Sequence, residues 1–255
     1  MTAGSSGRPG AGLGTFAGVF TPSLLTILGI VLFLRLGYVV GSVGVLEALL
    51  ILAAAHVVSI VTSLSVAAIA TNLRVKGGGD YYLISRTLGL GFGGAIGLVL
   101  FLAQAVAIGF YCIGFAEAVA RILELDGLWA GRVIGALAVT GLFGLAWAGA
   151  DVATRFQFVV MALLVTALTS FALGALPVWD GAVLRDNLTG PPAPLPFWAV
   201  FAVFFPAVTG FTQGVSMSGD LRDAARSLPR GTFAAVGLSM VVYLAAGGGR
   251  QRLWR

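Results

Sequence analysis

The residues of this chain best suited to chemistry are prolines, glycines and hydroxyls set inside two long apolar runs. In the first run Pro22 is followed by Thr26, Leu28 and Gly29; in the sixth, Pro206 is followed by Thr209, Gly210, Thr212 and Gly214. In lipid, a backbone group released from its helical partner must find protein, water or an ion instead. A helix interrupted there ends its first half in carbonyls, which attract cations, and starts its second half with amides, which attract anions. Thr26 and Thr209, with Tyr111 from the third run, add neutral oxygens, and no carboxylate lies near the middle of either interrupted run. Ions of both signs would therefore be held by neutral dipoles and balanced by one another. Proline and glycine also kink and pack helices where nothing binds. Two such runs five spans apart, however, are what a five-helix repeat inserted once in each orientation produces, with its binding site at the membrane midplane.

Other groups carry weaker signals. Arg35 and Glu117 lie toward the same side of their runs, where a charge is costly unless paired or hydrated. They read either as a pair that opens and closes an outer path, or as two side chains that snorkel separately to the interface. His56 reads as a packing residue rather than a proton relay. Cys112 is the single cysteine, so an intrachain disulfide has no second partner. Gly89-Leu90-Gly91-Phe92-Gly93-Gly94 has the spacing of a dinucleotide loop, but no strand-helix-strand unit surrounds it. Gly93 with Gly97, and Gly37 with Gly41, are spaced for close helix contact instead. Asn187-Leu188-Thr189 is a glycosylation sequon. No catalytic triad, metalloprotease helix, paired carboxylates or phosphate loop appears, so the chain is not read as an enzyme.

The elements that must position these groups are membrane helices. The 255 residues are 58% hydrophobic and 10% charged, with a mean hydropathy of +1.01, far from the roughly 25% charge of soluble domains. Fifteen Lys and Arg against ten Asp and Glu are scattered rather than striped, which argues against a nucleic-acid surface. A span needs about 20 apolar residues. Seven runs qualify: 16–40, 46–70, 89–123, 131–150, 156–176, 197–217 and a short seventh at 232–246. Residues 1–14 are polar and Gly-rich, and read as a disordered cytoplasmic N-terminus rather than a signal peptide. Cytoplasmic loops carry the Lys and Arg excess. With the N-terminus inside, Arg8, Arg74, Lys76, Arg86, Arg155, Arg222, Arg226 and Arg230 are cytoplasmic, against Arg35, Arg121, Arg132 and Arg185 outside. The tail 247–255, with Arg250, Arg252 and Arg255, breaks that pattern and reads as atypical, as if the chain were cut or its frame changed near residue 246.

These residues carry a family resemblance. The runs Gly18-Val19-Phe20-Thr21-Pro22 with Ile27 to Leu36, Tyr81-Tyr82-Leu83-Ile84-Ser85-Arg86-Thr87-Leu88-Gly89, Phe205-Pro206-Ala207-Val208-Thr209-Gly210 and Ser218-Gly219-Asp220-Leu221 resemble the cation-chloride cotransporters, the Na-K-Cl and K-Cl carriers. The resemblance implies an all-α polytopic membrane protein with the five-plus-five inverted-repeat, LeuT-like fold of the amino acid-polyamine-organocation superfamily, with the second repeat incomplete. It implies a potassium site on carbonyls of Thr26 and Ile27, the Tyr111 hydroxyl, the Pro206 carbonyl and Thr209. The family usually has asparagine where Thr26 stands, which bears on cation selectivity. It further implies chloride sites on the amides of Gly29, Ile30 and Val31 and of Gly210, Phe211 and Thr212, and part of a sodium site on carbonyls of Leu25 and Leu28. Arg35 and Glu117 match the outer gate. Asp80 stands where the glycine-rich entry to the third span usually has a small residue, which bears on a cytoplasmic contact.

The expected function is electroneutral symport of potassium and/or sodium with chloride by alternating access, in the cell membrane. The partners are those ions, the lipid bilayer and a second copy of the chain; no cofactor and no nucleic acid is expected. Two alternatives stay open: an amino acid or polyamine permease of the same fold, and an inactive truncated fragment.

Overall fold

The computed structural model describes residues 12–72, 78–125, 127–178, 181–188 and 195–248. The remaining parts of the N-terminus and tail, Arg74, Lys76 and the sequon's Thr189 lie outside the described residues. Among the described residues there is no strand, only an isolated parallel bridge between Leu13 and Leu221. Six helical stretches among the described residues are long and apolar enough to cross a bilayer.

The first stretch, Phe16–Asn72, holds 57 residues. A straight helix of that length would run about 85 Å, against roughly 30 Å of hydrocarbon. It is divided twice. A π-helical turn, Phe16–Phe20, leads into α1, Thr21–Ile27; after Leu28 and Gly29, α2 runs Ile30–Asn72. Inside α2, Gly44 takes φ 80° and ψ 173°, a conformation that a side chain would oppose. This break falls between the runs 16–40 and 46–70. The amides just after it are taken up by a distant loop: Val45 N–H donates to the Asn187 carbonyl at 2.9 Å and Leu46 N–H to that of Leu188 at 3.2 Å.

Helix α3, Gly79–Leu88, turns into α4, Leu90–Ile122, which is followed by α5, Leu128–Trp147, and α6, Ala150–Ala175. Helix α6 starts six residues before the apolar run at 156. Hydropathy registers only the part of a helix that suits lipid, and Arg155 lies in the extra turns. The windows of α4, α5 and α6 bury almost none of their side chains. Apolar faces of this kind are solvated by lipid without cost.

A short α7, Gly181–Asp186, precedes α8, Phe197–Phe204, a 3-10 turn Phe205–Val208, α9, Gln213–Ser216, and a second 3-10 turn Ser218–Asp220. The final helix, α10, runs Ala224–Gly248, eight residues earlier than the run at 232 and long enough to span. Asp223 starts it: its carboxylate accepts from the Arg226 N–H at 3.2 Å, and its carbonyl accepts from the Ser227 N–H at 2.9 Å. Arg226 and Arg230 keep these first turns out of a hydropathy window although the backbone is helical.

The core lies where α1, α2, α8 and α10 converge, around Ile27, Leu28, Ile51, Val200, Phe204, Val208 and Tyr243. Val19 is fully buried between the glycines at 214 and 231; a Cβ on Gly214 would come within 3.0 Å of its Cα. The first stretch is thus seated between α9 and α10, which brings the two interrupted spans together.

Candidate functional site

The interruption in the first span is short. Only Leu28 and Gly29 leave the helical path. Leu28 N–H still closes onto the Leu24 carbonyl at 2.8 Å, and Leu32 N–H reaches back to the Gly29 carbonyl at 3.1 Å. A Cβ on Gly29 would lie 3.1 Å from the Thr26 carbonyl oxygen and 3.3 Å from that of Leu25. Glycine there leaves these two carbonyls uncovered, that of Leu25 being expected in the sodium site and that of Thr26 in the potassium site. The Thr26 hydroxyl itself donates to the Pro22 carbonyl at 2.8 Å, so its side chain serves its own helix.

The second interruption is longer. After the 3-10 turn, Thr209 is extended (φ −81°, ψ 172°) and Gly210 takes φ +94° before the chain re-enters helix at Gln213. Pro206 lacks an N–H, and its carbonyl accepts from the Thr209 hydroxyl at 2.8 Å. The amides of Gly210, Phe211 and Thr212 donate to no acceptor among the described residues, and neither does that of Gly29. Three consecutive N–H groups without an acceptor among the described residues, starting at a residue of positive φ, are donors of the kind an anion can take up.

The two interruptions touch. A Cβ on Gly210 would strike the Thr26 methyl and come within 2.9 Å of its Cβ. Three buried hydroxyls tie the exposed backbone down. Ser23 of α1 donates to the Phe211 carbonyl at 3.1 Å and accepts from the Gly214 N–H at 3.3 Å. Ser59 of α2 donates to the Val208 carbonyl at 2.9 Å. Tyr243 of α10 places its hydroxyl 2.9 Å from the Ile27 carbonyl and 3.2 Å from the Ala207 carbonyl. His56 packs its ring edge-on against Tyr243 at 6.1 Å, with Nδ1 donating to the Leu52 carbonyl at 3.0 Å.

A cavity of about 470 Å³ opens beside the first interruption. Thr26, Gly29 and Ile30 form one wall, Tyr111 of α4 another, Gln157 of α6 a third, and Gln213 of α9 also reaches it. No charged side chain lines it. Thr26 and Tyr111 are therefore brought together, and so are Gly29 and Ile30. Pro206 and Thr209 belong to the adjoining break and are not among the lining residues; Ile27, Leu28, Val31 and Phe211 are buried in the core behind it.

Arg35 and Glu117 stand on helices that meet. Gly114 of α4 packs against Ile30 and Leu34 of α2, so both charges lie within a turn of that contact. Both side chains are exposed, and among the described residues the one salt bridge is Arg226 to Asp223 at 3.5 Å. Glu117 instead faces a groove that it shares with Arg132 of α5. Gly79 at the start of α3 lies against Ser216 of α9. Burial pushes the neighbouring Asp80 carboxyl above its ordinary range.

Ser23, Ser59, Tyr243 and Gln157 are site residues that the sequence pattern does not single out. Their one signal is a lone polar group inside an apolar run, which in lipid marks a hydrogen-bonding obligation without naming the partner.

The amino acid permease family profile matches residues 18–247. The chain is 39% identical to solute carrier family 12 member 2 of Squalus acanthias, over 91% of this chain and 21% of that protein. It is 38% identical to solute carrier family 12 member 1 of Homo sapiens, over 91% of this chain and 23% of that protein. Identity to solute carrier family 12 member 8 of Mus musculus is also 38%, over 91% and 34%. The chain thus spans between about a fifth and a third of the length of these relatives.

Proposed function

This chain belongs to the amino acid permease family, a family of membrane transporters rather than enzymes, and from that premise we propose that it moves an alkali cation together with chloride by alternating access. The observation that carries the reading is the meeting of two broken spans around uncharged groups: carbonyls left clear by Gly29, and free amides at Gly210, Phe211 and Thr212. Potassium is assigned to Thr26, Ile27, Tyr111, Pro206 and Thr209. Chloride is assigned to the amides of Gly29, Ile30 and Val31 and to those of Gly210, Phe211 and Thr212. The carbonyls of Leu25 and Leu28 supply part of a sodium site, and Arg35 with Glu117 closes the outer path in another conformation. The chain sits in the cell membrane with its N-terminus cytoplasmic.

Neutral dipoles can hold a lone ion, but carrying one unit charge through the membrane field costs about 2.3 kcal/mol per 100 mV. Loading opposite charges side by side removes that cost, and with it any need for a buried carboxylate. The test is flux in proteoliposomes. Radioactive rubidium uptake that requires chloride and ignores an imposed potential supports the reading. Uptake that follows the potential overturns electroneutrality; uptake of labelled amino acids independent of chloride replaces the ion reading with a permease.

A further inference from the structure

Where the sixth span unwinds, two hydrogen bonds decide which way its amides face. The peptides of 209–214 are trans, so each carbonyl and the N–H of the next residue point in opposite directions. The Phe211 carbonyl accepts from the Ser23 hydroxyl at 3.1 Å, which turns the Thr212 N–H away from Ser23. The Gly210 carbonyl accepts from the Gln213 N–H at 3.0 Å, which turns the Phe211 N–H away from the start of α9. Ser23 also accepts from the Gly214 N–H at 3.3 Å, so one hydroxyl ties the unwound segment to the first turn of α9. The Ser23 side chain is completely buried. Ser23 and Thr26 lie three residues apart on one face of α1 and meet the segment together, since Thr26 is the residue that a Cβ on Gly210 would strike.

We propose that Ser23 is a positioning residue for chloride, fixing the direction of the Thr212 N–H by holding the carbonyl of the same peptide. The inference rests on the cation-chloride reading and adds to it a side chain that serves the anion without touching it. Backbone donors hold an anion well only when they are oriented beforehand, because turning a peptide at the moment of binding uses up part of the interaction. Regular helix does not orient this peptide. Thr209 is extended, Gly210 takes φ +94°, and helix resumes only at Gln213. The tie to Ser23 does what the helix does elsewhere. Without the hydroxyl, the Phe211 carbonyl and the Gly214 N–H lose a buried partner, and any rotation that finds the carbonyl a new donor carries the Thr212 N–H with it. Thr26 donates its own hydroxyl to the Pro22 carbonyl, which leaves Ser23 as the α1 side chain that sets these donors.

The test uses the purified full chain in detergent and reads each ion from the rise it causes in the thermal unfolding midpoint. Chloride is titrated by exchanging rubidium gluconate for rubidium chloride, and rubidium by exchanging N-methylglucamine chloride for rubidium chloride. The wild type, Ser23→Ala and Ser23→Cys are compared. Ser23→Ala is expected to raise the half-saturating chloride concentration about fivefold, the scale of one net hydrogen bond, and to leave that of rubidium at saturating chloride within about twofold. Ser23→Cys, whose thiol is a weaker donor and acceptor, is expected to fall between Ser23→Ala and the wild type, and it carries the test if Ser23→Ala does not fold. If Ser23→Ala, or Ser23→Cys in its absence, leaves the chloride titration unchanged, the hydroxyl is a structural tie alone, and the inference is overturned while the chloride site stands. If the rubidium concentration rises as much as that of chloride, or rises by itself, Ser23 holds the whole site or its cation end and the inference is again overturned. If chloride causes no rise in the wild type, the cation-chloride reading itself fails, and the inference with it.

Discussion

The hydroxyl of Tyr243 bridges the two interrupted spans, 2.9 Å from the carbonyl oxygen of Ile27 and 3.2 Å from that of Ala207. Ile27 is the last residue of α1, and Ala207 lies inside the 3-10 turn where the sixth span unwinds. A phenol carries one proton, so one carbonyl is donated to while the other shares it weakly or waits. Tyr243 is fully buried. Tyr243→Phe keeps the ring packing against Phe204 and His56 and removes only the hydroxyl. The expected cost is about 1–3 kcal/mol, read as a lower thermal unfolding midpoint in detergent. Hydrogen exchange should also quicken at 205–212 and not in α5. An unchanged midpoint would show that the bridge adds no stability.

The contact between Gly210 and Thr26 makes a separate prediction. Gly210 has φ +94°, and a Cβ there would drive into the Thr26 side chain. Gly210→Ala therefore suffers both backbone strain and overpacking, together roughly 2–5 kcal/mol. Thr26→Ser removes the struck methyl while keeping the hydroxyl that caps Pro22, so the double variant should recover part of the loss and not all of it. Full recovery would mean that the positive φ costs nothing, and no recovery would mean that the methyl contact is irrelevant. Both variants are compared by thermal unfolding.

The two breaks were legible in the sequence because proline and glycine change the backbone by themselves: Pro22 with Gly29 and Pro206 with Gly210 announce interruptions without any knowledge of neighbours. The hydroxyls that fasten them were not. Ser59 finds its acceptor 149 residues away and Tyr243 finds one 216 residues away, and no local pattern encodes such distances. Helices also extend beyond the apolar runs for a related reason. Hydropathy measures affinity for lipid, so the polar first turns of α10, with Arg226 and Arg230, read as loop although Asp223 caps them as helix. The gap between the first two runs was visible, but not that Gly44 makes it with a single non-helical residue.

Arg35 and Glu117 occupy meeting helices without joining. In this conformation both side chains are exposed and no salt bridge joins them among the described residues, and charges held apart interact weakly. A double-mutant cycle on thermal stability, using Arg35→Ala and Glu117→Ala, should give a coupling below about 0.5 kcal/mol without transported ions. A larger coupling would mean that the resting state already holds the pair closed. If these residues close an outer path, the coupling must rise when rubidium chloride is present.

Asp80 offers a pH-dependent handle at the start of α3. It follows Gly79, whose backbone rests on Ser216 of α9, so the start of α3 touches the short helix that completes the sixth span. Burial raises its pKa above the ordinary 3.8 in the folded chain. The folded state then holds a proton that the unfolded chain has already released, and stability falls as pH rises from 3.8 toward the raised value. Above both values the penalty is complete and constant; below 3.8 it is absent. Asp80→Asn, which has the same shape and no charge to desolvate, should therefore unfold at a higher temperature than the wild type at pH 7. The difference should shrink as the pH is lowered and vanish once both states are protonated. A difference that persists unchanged at pH 3 would assign the effect to packing rather than charge, and a wild type more stable than Asp80→Asn at pH 7 would show that the carboxylate is paired, not merely buried.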